Sequence, residues 1–416
     1  MRCFHMFVAN LKEGQLEELL HIPEPWYIDR VDFSLEAKQL DVYVKFRERA
    51  LFPCSKCGAP NQPVRDIANH DRTWRHLNFF EYPSYIHAEL PRTNCGECNT
   101  ITRVNVPWAL DKPKHYFTLH FDALIIALAK DMPMNAVSRF VGEHDTRLWR
   151  ILHHYVDNAI AAQDLTYVTK INTDETSAKR GHNYITIFMD PEQKNVICVT
   201  KGKDSSTWGE CKKQLEAHGG NAENITEVCM DMSPAFIKGA EENFPKASIT
   251  FDKFHVIQAA NEAVDEVRRT ERKSCAELKD TRYMWLKNPE NLTAAQQETM
   301  AKLKDCDLDT AKAYRMRLIL QEIYRYPAAI APMVLQDWIQ WGLRCRLAPM
   351  VEVAKMLQNH YDGVVRWFSS KLTNGLLEGV NSLFQAAKRK ARGYRSEKNI
   401  IAMVYVLAGK LNFALK

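Results

Sequence analysis

The chain of 416 residues contains no apolar run approaching the roughly 18 residues that a membrane-spanning helix needs. Its opening, MRCFHMFVANLKEGQ, lacks a secretory hydrophobic region. Membrane and secreted proteins are thereby set aside, and a cytoplasmic protein is expected. Neither sign of charge dominates: 56 Lys and Arg against 51 Asp and Glu leave a net charge of +5. The chain as a whole is therefore not committed to a polyanion, so a basic surface must be local and its location informative. There is no internal repeat and no low-complexity tract. Eleven cysteines, an odd number in a reducing compartment, argue against a disulfide framework. What is present, 46% hydrophobic and 26% charged residues, is the balance of a globular protein with ample core. Its length suits two to four domains at about 150 residues each.

Four of the cysteines are not scattered. Cys54-Ser-Lys-Cys57 and Cys95-Gly-Glu-Cys98 are two pairs with two residues between thiols. At that spacing both thiolates of a tight knuckle reach one ion, and two knuckles complete a tetrahedral site for one structural Zn²⁺. The alternative is two unrelated pairs of thiols. The 37 residues separating the pairs contain strand-like text over 78–90 that suits a hairpin between the knuckles. His70, His76 and His87 lie in this gap, but four matched thiols leave no ligand for them to supply. The remaining seven cysteines read as buried small hydrophobes.

A helical segment follows. Phe121, Leu124, Ile125 and Leu128 mark one helix, and Ala136, Val137, Phe140 and Val141 a shorter second. Gly142 interrupts, and Asp145 is expected to cap a third helix with Leu148, Ile151, Leu152, Tyr155 and Val156 facing inward. A short helix, a glycine turn and a second helix form the helix-turn-helix pattern. Thr146, Arg147, Trp149, Arg150 and His153 would then face outward, with Arg147 and Arg150 able to reach phosphates or guanine edges. Plain helix pairs joined by a turn share this pattern.

From about 165 the period shortens. Strands are expected at 167–173, 184–189 and 196–200. Helices at 205–217, 234–243 and 253–268 then alternate with strands at 225–230 and 247–251. Three meandering strands followed by helix–strand alternation give a mixed sheet, an order that resembles the ribonuclease H-like arrangement. Residues 269–372 are helix-rich, charged and without strand signals, far too long for a loop. They read as an inserted helical subdomain containing Trp338 and Trp341.

Asp174 follows the first of these strands and Asp231 ends the fourth, so neighbouring strands would bring both acids to one edge. Glu378 returns from a helix beyond the insertion. Three gathered acids repel one another unless a cation sits among them. Hard oxygen ligands favour two Mg²⁺ or Mn²⁺ ions, a pair suited to phosphoryl transfer. In the helix carrying Glu378, Asn374 is the expected N-cap. Leu376, Leu377, Val380, Leu383, Phe384 and Ala387 form the expected core stripe, while Glu378, Asn381, Gln385, Lys388 and Arg392 share a polar face. Alone, Glu378 reads as an acid complementing the helix dipole, and Lys388, Arg389, Lys390, Arg392 and Arg395 as a solvated surface. Beside Asp174 and Asp231 it is a candidate third ligand, and the bases become a candidate phosphate-binding track.

These pieces, in this order, resemble the DDE transposases of bacterial insertion sequences, in the branch called the ISL-three family. The resemblance covers nearly the whole chain. It rests on Trp74-Arg-His-Leu77, Pro91-Arg92, Asp174-Glu175, Gly181-His182-Asn-Tyr184 and Asp231-Met-Ser-Pro234. It continues through Phe251-Asp-Lys-Phe-His255, Asn374-Gly-Leu-Leu-Glu378-Gly-Val-Asn381 and Lys388-Arg389. It implies a multidomain α+β chain. Residues 1–112 would hold the zinc module and 113–163 the helix-turn-helix. A ribonuclease H-like catalytic domain would occupy 164–268 and 373–416, interrupted by the all-α insertion 269–372.

The resemblance implies the catalytic and metal-holding triad Asp174, Asp231 and Glu378, with two Mg²⁺ bridged by Asp174. It also implies double-stranded DNA as partner, both the terminal inverted repeats and the target, and a homodimer or larger assembly near the bacterial nucleoid. Water would free a 3′-OH at the element end, which would then attack target DNA. Glu175, Asp252, His255, Asn374 and Asn381 are expected in supporting roles. Asp252 and His255 either tune the metal site or meet DNA, or Asp252 simply caps the helix at 253. Trp208, Trp338 and Trp341 either pack the core or stack on a flipped base. Two rival readings share these motifs, a transposase-derived DNA-binding regulator and a nuclease that cuts without joining.

Overall fold

A computed structural model describes residues 14–68, 70–110, 116–179, 181–303 and 308–413. The expected division between 112 and 113 lies outside them. The chain divides into two compact units: Met1–Ala161 with Ala387–Arg392 and Leu411–Lys416, and Ala162–Ala386 with Gly393–Lys410.

The first unit begins with helix α1 (Gln15–Leu19) and continues in strands β1 (Trp26–Ser34), β2 (Gln39–Phe46), β3 (Leu51–Phe52) and β4 (Gln62–Ile67). Then come β5 (Arg72–Phe79), β6 (Tyr82–Ala88), β7 (Pro91–Asn94) and β8 (Ile101–Arg103). They form two four-stranded sheets, ordered β1-β2-β6-β5 and β3-β4-β7-β8. The hairpin expected between the cysteine pairs is thus β5–β6, but it belongs to the other sheet. This explains the long gap: the chain leaves the small sheet after one knuckle and returns for the second. Trp26, Trp74 and Trp108 are buried at the centre of the first core, with Trp108 edge-on to the other two at 5.1 and 5.6 Å.

Helices α2 (Leu119–Asp131), α3 (Met134–Val141) and α4 (Asp145–Ala161) follow. The Thr118 side chain caps α2 by accepting from the Phe121 amide. Gly142 ends α3 at φ 71°, a left-handed conformation that favours glycine. Leu148, Ile151, Leu152, Tyr155 and Val156 are buried as expected, whereas Phe140 is exposed. Asp145 is the first residue of α4 rather than its cap, one position further in.

The second unit is built on β9 (Lys170–Lys179), β10 (Asn183–Asp190), β11 (Asn195–Lys201), β12 (Glu227–Met230) and β13 (Ser248–Phe251). Their order is β11-β10-β9-β12-β13. Strand β10 runs antiparallel to both β9 and β11, and β12 and β13 are parallel to β9. Helices α5 (Ser206–Ala217), α6 (Pro234–Asn243) and α7 (Lys253–Glu271) fall where the periodicity puts them.

Strand β9 departs from the expectation that it ends before Asp174. It runs on to Lys179, because Asp174 pairs with Ile187 and Lys179 with Asn183 across a tight hairpin. Gly181 and His182 both take positive φ in that turn, 80° and 57°. The matched Gly-His pair therefore shapes the hairpin.

Between 269 and 372 the described residues form α8 (Arg282–Leu286), α9 (Ala294–Leu303), α10 (Asp309–Ile323), α11 (Ala331–Arg344), α12 (Ala348–Asn359) and α13 (Tyr361–Ser370). One continuous cluster of buried side chains joins these helices to the sheet, from Trp208, Phe236 and Phe251 to Leu320, Trp338, Met350 and Trp367. Trp208 and Trp338 are fully buried and Trp341 packs partly buried against the same cluster, so all three belong to the core. Gly363 lets α13 lie against β13: a Cβ there would stand 2.5 Å from the Phe251 ring. Helices α14 (Gly375–Lys390) and α15 (Glu397–Ala408) complete the chain.

No helix among the described residues is long and apolar enough to cross a membrane.

Candidate active site

Two groups of side chains are brought together, one in each unit. In the first unit the Sγ atoms of Cys54, Cys57, Cys95 and Cys98 all lie within 4.8 Å of one another. Cys54 and Cys98 are 3.7 Å apart, and Cys57 and Cys95 3.5 Å. Four thiolates about 2.3 Å from one tetrahedral zinc stand about 3.8 Å apart, so the set fits Zn²⁺.

The two knuckles repeat one construction. The Cys54 amide bonds the Ala59 carbonyl and the Gly58 amide the Cys54 carbonyl; the Cys95 amide bonds Thr100 and the Asn99 amide Cys95. Gly58 and Asn99 occupy the same left-handed position, at φ 76° and 51°. Backbone amides of Cys57 and Lys56 bring the Cys54 thiol down to about 6, and the Thr100 hydroxyl lowers that of Cys98. Both favour the thiolates a metal needs. None of the three gap histidines is a ligand: His76 bonds the Thr118 hydroxyl, His87 bonds Asp41, and His70 lies outside the cluster.

In the second unit the sheet register aligns acids. Cys229 of β12 is level with Asn172 of β9, and Met230 with Phe251 of β13. Asp231 and Asp252 directly follow the paired Met230 and Phe251, and Asp231 and Asp174 each stand two residues past the paired Cys229 and Asn172. The Asp252 amide bonds the Met230 carbonyl at 3.0 Å, which holds this alignment. Asp231 and Asp252 therefore lie just past parallel strand ends and Asp174 within a longer strand, in one row. Asp231 Oδ1 accepts from the Ser233 amide and Asp174 Oδ1 from the Glu175 amide.

Helix α14 crosses β9 on a ladder of side-chain amides. Asn374 Nδ2 donates to the Thr173 carbonyl at 2.9 Å, and Asn381 Nδ2 to Asp174 Oδ2 at 2.8 Å. Gln385 Nε2 donates to Thr176 Oγ1 at 2.7 Å. In return Asn172 Nδ2 donates to the Thr373 carbonyl at 2.7 Å. Asn374 precedes the helix as expected, and its carbonyl accepts from the Glu378 amide, but its side chain serves this ladder. Of the expected core stripe, Leu377, Val380 and Phe384 are buried, while Leu376 and Leu383 are exposed. At about 100° per residue, Leu376 and Leu383 lie on the flank of the buried stripe away from the amides.

Glu378 lies on α14, half-buried, within electrostatic reach of Asp252 and His255. Burial pushes the Asp174 carboxyl up to about 7, against the pull of His255 and with the push of Glu175 and Asp231. Burial also raises Glu175, beside Asp231 and Lys203, and raises Glu378, beside Asp252. Asp252 Oδ2, Asn381 Oδ1 and His255 Nε2 are buried and meet no hydrogen-bond partner. Repelling acids with unused buried acceptors fit divalent cations held by oxygen. Among the described residues no carboxylate trio is drawn together as tightly as the four thiols. The expected cap at Asp252 is not formed: its side chain makes no bond to the first turn of α7 and takes the Thr373 hydroxyl instead. Asn172 and Thr373 carry no signal in the sequence, and Gln385 is placed on the polar face without a role. Gln385 was visible as the third member, after Asn374 and Asn381, of one helical face.

The expected DNA-contacting residues separate into two classes. Arg147 pairs with Glu143 and lies over the Phe117 ring at 4.5 Å, so it is engaged within its own unit while its side chain stays partly exposed. Trp149 stacks on His153 with ring centres 5.6 Å apart, and Arg150 is exposed. Lys388 is partly buried and Arg389 exposed, and Lys390 Nζ donates to the Asp131 carbonyl at 2.6 Å. Arg392 is not on the polar face of α14: the helix stops at Lys390, and Arg392 and Gly393 turn the chain at φ 56° and 93°.

Comparison with known proteins bears on both groups. Residues 171–404, more than half the chain, match the transposase domain of the ISL3 family. Residues 104–156 match the helix-turn-helix domain of transposase family ISL3. Residues 50–98 match the zinc-finger of the transposases of IS204, IS1001, IS1096 and IS1165. The chain is 29% identical over 402 residues to the transposase for insertion sequence element IS1557 of Mycobacterium tuberculosis, covering 88% of each chain. It is 24% identical over 383 residues to the transposase for insertion sequence element IS1001 of Bordetella parapertussis, covering 89% of this chain and 92% of the other.

Proposed function

The chain belongs to the ISL3 family of insertion-sequence transposases, and from that membership we propose that it binds the terminal inverted repeats of its element and cuts and joins DNA through Asp174, Asp231 and Glu378. The observation that supports the catalytic reading is the parallel register of β12 with β9, in which Asp231 and Asp174 each follow the paired Cys229 and Asn172 by two residues. The strand order β11-β10-β9-β12-β13 supports a ribonuclease H-like catalytic domain, with the helices between 269 and 372 as its insertion. The zinc module and the helix-turn-helix form the DNA-binding part, and the four thiols hold one Zn²⁺.

Asp174, Asp231 and Glu378 would hold two Mg²⁺ or Mn²⁺ ions. The chemistry such a pair supplies is activation of an attacking oxygen and stabilisation of a leaving oxygen at phosphorus. The chain's own part is orientation. Asn381 fixes one oxygen of Asp174, the Glu175 amide holds the other, and the amide ladder holds the helix carrying Glu378 against the same strand. Lys388 and Arg389 lie on that helix about 15 Å beyond Glu378, at 1.5 Å per residue, where they bind backbone phosphates. Arg150 and Trp149 meet base edges from α4. Pairing two element ends requires at least a dimer, acting at the nucleoid in the cytoplasm.

The test incubates the protein with labelled duplexes bearing candidate element ends, with Mg²⁺ or without it. Metal-dependent release of a 3′-OH is expected, with Asp231→Asn binding but not cutting. Equal cutting by Asp231→Asn would overturn the triad. Binding without cutting by the unaltered protein on intact ends would favour a regulator.

A further inference from the structure

Asp252 closes the row of acids, is fully buried, and uses only one of its oxygens. Oδ1 accepts from the Thr373 hydroxyl at 2.9 Å, while Oδ2 is buried without a partner. Asp252 directly precedes α7, where a carboxylate ordinarily accepts from the first-turn amides, yet it makes no such bond. Its backbone cannot swing away, because its amide is tied to the Met230 carbonyl. A carboxylate oxygen buried without donor or cation carries a heavy desolvation cost. The polar groups around it do not relieve that cost: Glu378 is an acid, the buried Tyr324 hydroxyl lies within electrostatic reach but makes no hydrogen bond, and His255, one turn along α7, has its own buried Nε2 unpartnered.

We propose that Asp252 is a fourth ligand of the carboxylate centre, its Oδ2 binding the divalent ion held by Asp231 and Glu378 while Thr373 fixes Oδ1. This rests on the proposed centre and deepens it. The hydroxyl that orients the ligand comes from the residue two before α14, so one contact ties the acid after β13 to the start of the helix bearing Glu378.

The experiment titrates the full-length, zinc-loaded protein with Mn²⁺ and reads free Mn²⁺ by electron paramagnetic resonance, comparing Asp231→Asn, Asp252→Asn and Thr373→Val. Asp252→Asn keeps the acceptor for Thr373 and removes the charge; Thr373→Val does the reverse. The expected result is at least a tenfold loss of Mn²⁺ affinity in Asp252→Asn and less than a twofold change in Thr373→Val. Unchanged affinity in Asp252→Asn alongside loss in Asp231→Asn would overturn the inference and leave the centre standing. Equal loss in Asp252→Asn and Thr373→Val would make Asp252 a structural acceptor and also overturn it. No Mn²⁺ binding by the unaltered protein, or none lost in Asp231→Asn, would overturn the centre itself. A second measurement needs no variant: Fe²⁺-directed backbone cleavage of the unaltered protein, competed by Mg²⁺, should cut at 251–253 as well as near 231. Absence of the cut at 251–253 would sink the ligand role.

Discussion

The side-chain amide of Asn381 donates to Oδ2 of Asp174 at 2.8 Å, joining residues 207 positions apart. One bond thus sets the orientation of a strand acid and the seating of the helix that carries Glu378. Asn381→Ala removes a hydrogen bond to a charged acceptor, an effect of about 1.5–3 kcal/mol. If that energy bears on the reacting geometry, DNA cleavage slows about 10- to 100-fold. Single-turnover cleavage assays check this. Unchanged cleavage would mean the bond only fastens the helix.

Burial holds Asp174 up near 7 against an ordinary value of 3.8, and raises Glu175 and Glu378 too. An acid whose pKa is higher folded than unfolded takes up protons on folding, so its stability contribution is present at low pH. It is lost as pH rises from about 3.8 to about 7. With zinc retained but no Mg²⁺ or Mn²⁺, Tm should fall between pH 5 and 8. Millimolar Mg²⁺ should restore more of it at pH 8 than at pH 5, which differential scanning calorimetry reads directly.

The four-thiol cluster predicts one zinc per chain. Cys95→Ser should lower the zinc content measured by atomic absorption and weaken DNA binding, while the far-UV signal of the second unit persists. Full zinc loading in that variant would contradict the assignment. A structural zinc site contributes on the order of 10 kcal/mol to its own module, so the loss should unfold the small sheet rather than loosen it.

Arg147 and Arg150 should behave differently although they are three residues apart. Arg147 is held by Glu143 and Phe117, so Arg147→Ala should lower Tm and weaken binding to all DNA alike. Arg150 is exposed, and Arg150→Ala should leave Tm unchanged while narrowing the preference for end sequence over random DNA. Gel-shift competition and thermal melts distinguish the two.

Replacing Lys388 and Arg389 by Gln should flatten the dependence of log affinity on log salt by about 1.8, at about 0.9 per phosphate contact. An unchanged slope would return these bases to the role of solvated surface.

The sequence was most readable where chemistry forces a spacing. Two thiols per knuckle, a glycine between helices and the alternation of strands and helices all locate their elements to within a few residues. It was least readable where partners come from afar. The strand is expected to end at Thr173 because the polar side chains of Asp174-Glu-Thr-Ser177 have no local reason to join a sheet. That segment is strand because β10 pairs with it and α14 supplies amides from about 200 residues away. Asp252 reads as a helix cap for the same reason, since nothing near it in the chain announces Thr373. Leu376 and Leu383 fit a core stripe by period alone, yet the helix leaves both exposed.

The ladder between β9 and α14 does not draw on the helices between 269 and 372. Its bonds, such as that from Asn172 to the Thr373 carbonyl 201 positions on, involve no residue of α8 to α13. What constrains those helices is packing instead: Leu320, Trp338, Met350 and Trp367 share one buried cluster with Trp208, Phe236 and Phe251, so only their exposed surfaces and connections can change at small cost. The ladder is a clasp closed by amides alone, and the helical segment it spans is held by its own packing.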